Sequence, residues 1–154
     1  MGRLRTPPPA PWGIDTDCLI YLIEGPDPVR LRWLTSAVLD DNDRRLVIDS
    51  LTVAELMVKP LRERTELEAV EMREAIEALP RVAILDVDIS LAIAAAKIRA
   101  ATGLKLPDAV HMAAAVRGGA QAILTNDAGF KRASAFLPVL ILDELIAGDA
   151  TTGV

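Results

Sequence analysis

The chain is poor in the residues that most chemistries need. It has one cysteine, Cys18, so no disulfide can form within it. In the apolar run Cys18-Leu-Ile-Tyr-Leu-Ile that cysteine reads as a small core residue, and a reducing cytoplasm fits. It has one histidine, His111, which excludes a histidine-rich zinc site. A Ser–His–Asp triad built on Ser50 and His111 lacks the glycines of a nucleophile elbow around the serine. Aromatics make up 3% of the chain, which argues against recognising single strands by base stacking. No apolar run reaches the roughly 18 residues of a transmembrane helix, and the start of the chain lacks the apolar stretch of a signal peptide. The expectation is a cytoplasmic protein with no membrane partner. A net charge of −5 is unlike a general nucleic-acid coating protein.

Aliphatic residues fill the gap. Apolar types make up 51% of 154 residues, and mean hydropathy is +0.30. One domain of this size has room for a core of Leu, Ile, Val and Ala, and the excess suits a sheet covered on both faces. The divisions expected are a flexible, proline-rich tail over 1–11, a domain over 12–147 and a loose tail over 148–154. Short strands are predicted at Trp12–Asp15, Arg45–Ile48, Val82–Leu85, Gln121–Leu124 and Val139–Leu142. Helices are predicted between them: to Glu24 from a cap at Thr16 or Asp17, over Val29–Leu39, through Val58 until Pro60 breaks it, and over Leu61–Leu79. A further helix runs from a cap at Asp88 to a stop at Gly103. The next begins at Pro107, in a favoured first-turn position, and ends at Gly118-Gly119. A short helix over Asp127–Arg132 and a last turn over Asp143–Ala147 complete the pattern. Alternating strands and helices imply an α/β fold, a three-layer α/β/α sandwich around a mostly parallel sheet. Ligands in such folds bind outside the C-terminal ends of the strands.

Four acids fall at those ends or in the first turns of adjoining helices: Asp15, Glu55, Asp108 and Asp127. Each adjoins an apolar segment, where an unpaired carboxylate is costly. Singly, each has a bland alternative as a cap or surface charge. Asp108, near a helix N-terminus, is favoured in its ionised form by the helix dipole. Together, the acids would repel and raise one another's pKa values unless a cation joined them. Hard oxygen donors without cysteine or histidine favour Mg²⁺ or Mn²⁺ over zinc. One ion can activate water; two, roughly 4 Å apart, can also stabilise a leaving oxygen in phosphodiester cleavage. Thr125 and Asn126 are placed to hydrogen-bond a neighbouring carboxylate, and Asp17 either joins the site or caps its helix. His111 is expected to pack or hydrogen-bond rather than react, and Asp49 is an unassigned acid at a strand end. Arg44, Arg45, Lys59, Arg62, Arg64, Lys105, Lys131 and Arg132 lie near segment ends and are candidates for a basic rim.

The segments Ile14-Asp-Thr-Asp-Cys-Leu-Ile20, Thr52-Val-Ala-Glu-Leu56, Leu106-Pro-Asp-Ala-Val-His-Met-Ala113 and Leu124-Thr-Asn-Asp-Ala-Gly-Phe130 make the chain resemble the PIN-domain nucleases, in particular the VapC-type ribonuclease toxins of toxin–antitoxin pairs. The pieces occur in the family order and span nearly all of Trp12–Leu145. The resemblance implies acidic metal-site roles for Asp15, Glu55, Asp108 and Asp127, with Thr125 and Asn126 as supporting groups. It also implies cleavage of RNA, often transfer or ribosomal RNA, a small antitoxin partner and a homodimer. Where this chain has Asp17 the family often has Asn or Ser. Two rival readings remain. One is a receiver-type phosphoacceptor domain using Asp49, which lacks the adjacent acid pair and the late lysine of that type. The other is a PIN-fold binding module without activity.

Overall fold

The computed structural model describes residues 10–152; most of the expected proline-rich tail, residues 1–9, lies outside them. Five short strands form one all-parallel sheet: β1 (Trp12–Ile14), β2 (Leu46–Asp49), β3 (Val82–Leu85), β4 (Ala122–Thr125) and β5 (Val139–Ile141). Their order across the sheet is β3-β2-β1-β4-β5. The chain therefore builds outward from β1 in one direction and then returns to build in the other. This places the topological switch between β1 and β4, where Ile14 pairs with Leu124.

Alternation along the strands divides the core in two. Ile14, Leu46, Ile48 and Leu124 pack on one face, against α1 (Thr16–Glu24), α2 (Pro28–Leu34), α3 (Ser50–Glu63), α4 (Glu66–Glu77) and α7 (Leu142–Thr152). Ile123 points to the other face, against α5 (Ile89–Thr102), α6 (Leu106–Arg117) and a 3₁₀ turn over Ala128–Ala133 that buries Phe130. These are the three layers expected from the pattern of strands and helices. Cys18 is fully buried on the first face.

Local chemistry sets the helix ends. Asp15, rather than Thr16 or Asp17, caps α1, and Gly25 ends it in the left-handed region at φ 60°. Thr65 and Glu68 form a reciprocal capping box that starts α4 at Glu66, so the predicted long helix over Leu61–Leu79 is divided. Its first turn belongs to α3, which continues through Pro60 to Glu63. Proline forfeits one helical hydrogen bond, but Pro60 and Leu56 are both buried here, and that packing offsets the loss. After Leu34 the helix widens into a π turn over Thr35–Leu39. Residues 148–152 of the expected loose tail continue α7, which runs to Thr152. The Trp33 indole N–H donates to Asp149 at 2.7 Å and holds this helix on α2.

The position of α6 matters most for the site. Its Ala113-Ala-Ala115 run is buried against the sheet. A Cβ on Gly13 would lie 2.5 Å from the Cβ of Ala115 and 3.3 Å from Ile123 Cγ1, so no side chain fits between β1 and α6. Three residues on, at the C-cap of α6, a Cβ on Gly118 would meet Val47 Cγ1 at 2.6 Å. The helix is therefore seated on two strands by missing atoms. Gly13→Ala is expected to destabilise the protein by about 1–3 kcal/mol through overpacking. Ala115→Gly in that background should recover part of the loss, although alone it costs about 1 kcal/mol of helix propensity. Chemical denaturation of the four proteins in that cycle checks both statements.

Candidate active site

The C-terminal ends of β1, β2 and β4 and the first turns of α3 and α6 meet at the switch point. Asp15 follows β1 directly and is mostly buried, with its side chain 10% exposed. The Thr16 backbone N–H donates to its Oδ1 at 2.8 Å, and the Thr125 hydroxyl donates to its Oδ2 at 2.9 Å. Burial, then the nearby charge of Asp17, push its carboxyl up to about 7, against the opposing pull of His111 and the two hydrogen bonds. Asp15 therefore holds its proton to a higher pH than an exposed aspartate unless a cation balances the charge.

Asp108 sits third in α6, after Leu106 and Pro107. The helix dipole was expected to keep it readily ionised. Instead, burial and then the charge of Asp127 raise its pKa, with Glu55 adding to the effect and His111 and Lys105 opposing it. Asp127 follows β4, caps the 3₁₀ turn by accepting from the Gly129 N–H at 2.8 Å, and donates its own N–H to Thr125 Oγ1 at 3.1 Å. Glu55 projects from α3 and is 37% exposed. Its Oε1 accepts from the Thr16 hydroxyl at 2.8 Å and is 2.6 Å from His111 Nε2. The His111 bond is the foremost cause of a pKa below the usual glutamate range.

His111 is the pivot between the acids. Its Nε2 is 4.0 Å from Asp15 Oδ1 as well as 2.6 Å from Glu55. Its Nδ1 is 2.7 Å from Asp49 Oδ2 and 3.2 Å from the Thr52 hydroxyl. Burial disfavours its charge, but the bonds to Asp49 and Glu55 outweigh that and hold the imidazole up to about 10. It is thus an imidazolium at neutral pH, gripped by two carboxylates. Asp49, 1% exposed, uses its other oxygen to cap α3 through the Thr52 N–H at 3.0 Å. Both oxygens are committed and buried, so Asp49 is no phosphoacceptor.

The supporting residues divide. Thr125 bridges Asp15 and Asp127, as just described. Asp17 accepts from the Cys18 N–H at 2.7 Å and from the Asn126 N–H at 3.3 Å. The Asn126 side chain turns away from the four acids: its Nδ2 donates to Asp143 Oδ2 at 3.2 Å, and its Oδ1 accepts from the Asp143 N–H at 3.1 Å. Asp143 is in turn held by Arg30 through Nε at 2.9 Å and Nη2 at 2.7 Å. This Arg30–Asp143–Asn126 link escaped the sequence reading. The signal was present, since Asp143 follows a strand just as Asp15 and Asp127 do.

The basic candidates also divide. Arg62, Arg64 and Lys131 pair with Glu63, Glu24 and Glu144. Arg44 stacks over the Trp12 ring at 3.6 Å, at the sheet's opposite end, where Arg45 also lies. Lys105 acts on Asp108. Arg132 donates to the Gly129 carbonyl, two residues beyond Asp127, at 3.4 Å. Those two cations flank the acids.

Among the described residues, no three acidic, histidine or cysteine side chains stand in a ligating arrangement. The donor chemistry nevertheless fits a hard divalent cation. Asp15, Glu55, Asp108 and Asp127 offer only carboxylate oxygen; burial and Asp17 raise Asp15, and burial with the charges of Asp127 and Glu55 raises Asp108. In Glu55, Oε1 carries both hydrogen bonds and Oε2 carries none among the described residues.

A family model for the PIN domain matches residues 14–148. Among solved structures, VapBC2 from Rickettsia felis bound to a promoter DNA fragment is similar at 18% identity and TM-score 0.66, covering 85% of this chain and 98% of that one. FitAcB from Neisseria gonorrhoeae is similar at 25% identity and TM-score 0.62, covering 84% and 96%. A toxin–antitoxin complex from Klebsiella pneumoniae is similar at 21% identity and TM-score 0.61, covering 87% and 98%. No curated protein matches the chain.

The raised groups make the metal-free protein lose stability as pH rises. Asp15 binds a proton more tightly folded, at about 7, than unfolded, where its ordinary value is 3.8; its contribution is full below 3.8 and is lost between there and about 7, so the limb above 7 belongs to His111. His111, ordinarily 6.5 and about 10 when folded, contributes fully below 6.5 and loses that contribution as pH rises through 10. The melting temperature of chelator-treated protein is expected to fall by several degrees from pH 7 to pH 10. His111→Gln should flatten that limb, and a thermal-shift series across pH reads both slopes.

Proposed function

Because the chain belongs to the PIN-domain family, we propose that it is a metal-dependent endoribonuclease and the toxin of a VapBC-type toxin–antitoxin pair. The observation that most supports this reading is a pair of partly buried acids at one end of the sheet whose charge is disfavoured: burial and Asp17 raise Asp15, and burial with the charges of Asp127 and Glu55 raises Asp108. Such acids call for a cation. Mg²⁺ or Mn²⁺ would be held by Asp15, Glu55, Asp108 and Asp127, and when bound it would activate water and stabilise charge in phosphodiester cleavage.

The chain's own groups do the rest. The Thr16 N–H and the Thr125 hydroxyl fix both oxygens of Asp15. Thr125 also fixes the backbone that presents Asp127. Lys105 and Arg132 flank the acids with positive charge, which suits contacts to RNA phosphates that position the strand without reading its bases. The RNA is read as single-stranded or structured, in the class of transfer or ribosomal RNA.

The similarity in fold to a toxin–antitoxin complex supports a small antitoxin as partner. Exposed Val58, Leu61, Leu67 and Val70 on the α3–α4 hairpin offer apolar surface for it to cover. A homodimer is supported by a second apolar patch, with Ile89 and Ile93 exposed side by side on α5. No helix among the described residues is long and apolar enough to cross a membrane, in keeping with a cytoplasmic setting.

Cleavage of a labelled RNA is expected with Mg²⁺ or Mn²⁺ and not with chelator. Asp15→Asn and Asp108→Asn should each lower the rate more than about a hundredfold, beyond the range typical of residues that merely support metal ligands. Circular dichroism should show both variants folded, and undiminished cleavage by both would sink the metal-site reading. For the dimer, light scattering should give twice the chain mass, and Ile89→Glu combined with Ile93→Glu should halve it. A monomeric unaltered chain would exclude the dimer.

A further inference from the structure

We propose that Asp49 and His111 form a positioning relay that aims the unbonded oxygen of Glu55 into the acidic cluster. The inference rests on the metal-centre reading above and gives it a buried support. Glu55 is the most mobile of the four acids by construction: it has a long side chain on a helix surface and is 37% exposed. Left alone, it would sample solvent rotamers. Two donors prevent this, and both act on the same atom. Thr16 Oγ1 at 2.8 Å and His111 Nε2 at 2.6 Å hold Oε1, which leaves Oε2 for another ligand.

The imidazole can direct Glu55 only if its own plane is fixed. Asp49 Oδ2 at 2.7 Å and Thr52 Oγ1 at 3.2 Å fix it from the far side, where the histidine side chain is 2% exposed. Asp49 is itself fixed, because its other oxygen caps α3 at the Thr52 N–H. A cap alone needs one oxygen, and Ser, Thr or Asn would supply it. An acid buried to 1% exposure, with its second oxygen on a histidine, exceeds what capping requires. The relay also crosses between helices. Asp49 and Glu55 belong to the start of α3, while His111 lies one turn after Asp108 on α6. Glu55 is thereby set in register with Asp108 as well as held in orientation.

The alternative is that the three groups merely fasten α3 to α6. Two neutral substitutions separate these roles, because the amide nitrogen of Gln reaches about as far as imidazole Nε2 and that of Asn about as far as Nδ1. His111→Gln keeps a donor for Glu55 and gives up Asp49; His111→Asn does the reverse. Calorimetric titration with Mn²⁺ alone is expected to show affinity reduced about 100-fold in His111→Asn, which loses the donor, and about tenfold in His111→Gln, which keeps the donor but not its support. Asp49→Ser retains a capping side chain and loses the histidine partner. It is expected to weaken Mn²⁺ about tenfold while its melting temperature stays within a few degrees of the unaltered protein.

Equal losses in the Gln and Asn variants, or no loss in Asn and Ser, would overturn the relay. Asp15→Asn separates the two levels of the reading. If the unaltered chain binds no Mn²⁺, or Asp15→Asn binds it undiminished, the metal centre itself fails and takes the relay with it. If Asp15→Asn loses Mn²⁺ while His111→Asn and Asp49→Ser bind it normally, the relay alone is wrong.

Discussion

Everything at the switch point depends on how closely α6 can approach β1. Gly13 leaves no atom where a Cβ would meet Ala115, and the alanine run of α6 is narrow enough to lie in the resulting trough. The helix then points its N-terminal turn at the ends of the strands. His111 arrives beside Asp15, and Asp108 comes within reach of the charges of Asp127 and Glu55, because the backbones nearly touch farther along. A bulkier contact would move the helix outward and separate the carboxylates it brings together. The low side-chain volume on this face and the charge density at the sheet edge are one design.

That density has to be tolerated in a fold that otherwise buries aliphatic surface. The chain offsets it with groups of its own. Asp15, Asp49 and Asp127 each cap a helix or turn, so backbone N–H groups already satisfy part of each acid. Thr16, Thr52 and Thr125 contribute hydroxyls, all from buried positions. His111 stands between Asp49 and Glu55 and shares its positive charge with both. On the proposed reading, Asp15 and Asp127 are therefore both structural and chemical. This is why each of them, considered singly, passes for an ordinary cap.

The sheet was legible because strands and helices alternate with clear apolar periods, and all five strands lie within a residue or so of where the pattern puts them. The places of the four acids in the fold, after strands or near helix starts, were legible because each adjoins one of those segments. What sequence could not supply was direction. His111 bonds to Asp49 and Glu55, 62 and 56 residues away, and nothing local marks either pairing. Asn126 stands next to the acids yet turns to Asp143, because α7 begins immediately behind it. Pro60 misled for the same reason: its local effect is to break a helix, and tertiary burial overrides it. Asp108 misled through a competition of magnitudes, in which burial and a like charge outweigh a helix dipole.

Cys18 gains a use from this setting. The thiol is enclosed completely, and burial, followed by the neighbouring Asp17, drives its pKa far above the ordinary thiol range. The thiolate, the reactive form, is therefore suppressed as long as α1 lies on the sheet. A labelling reagent can modify it only in molecules where that helix has lifted, so the rate of modification counts opening events. The residue that seemed to say least about the chain is thus a built-in clock for the breathing of its central helix, one position along from Asp17.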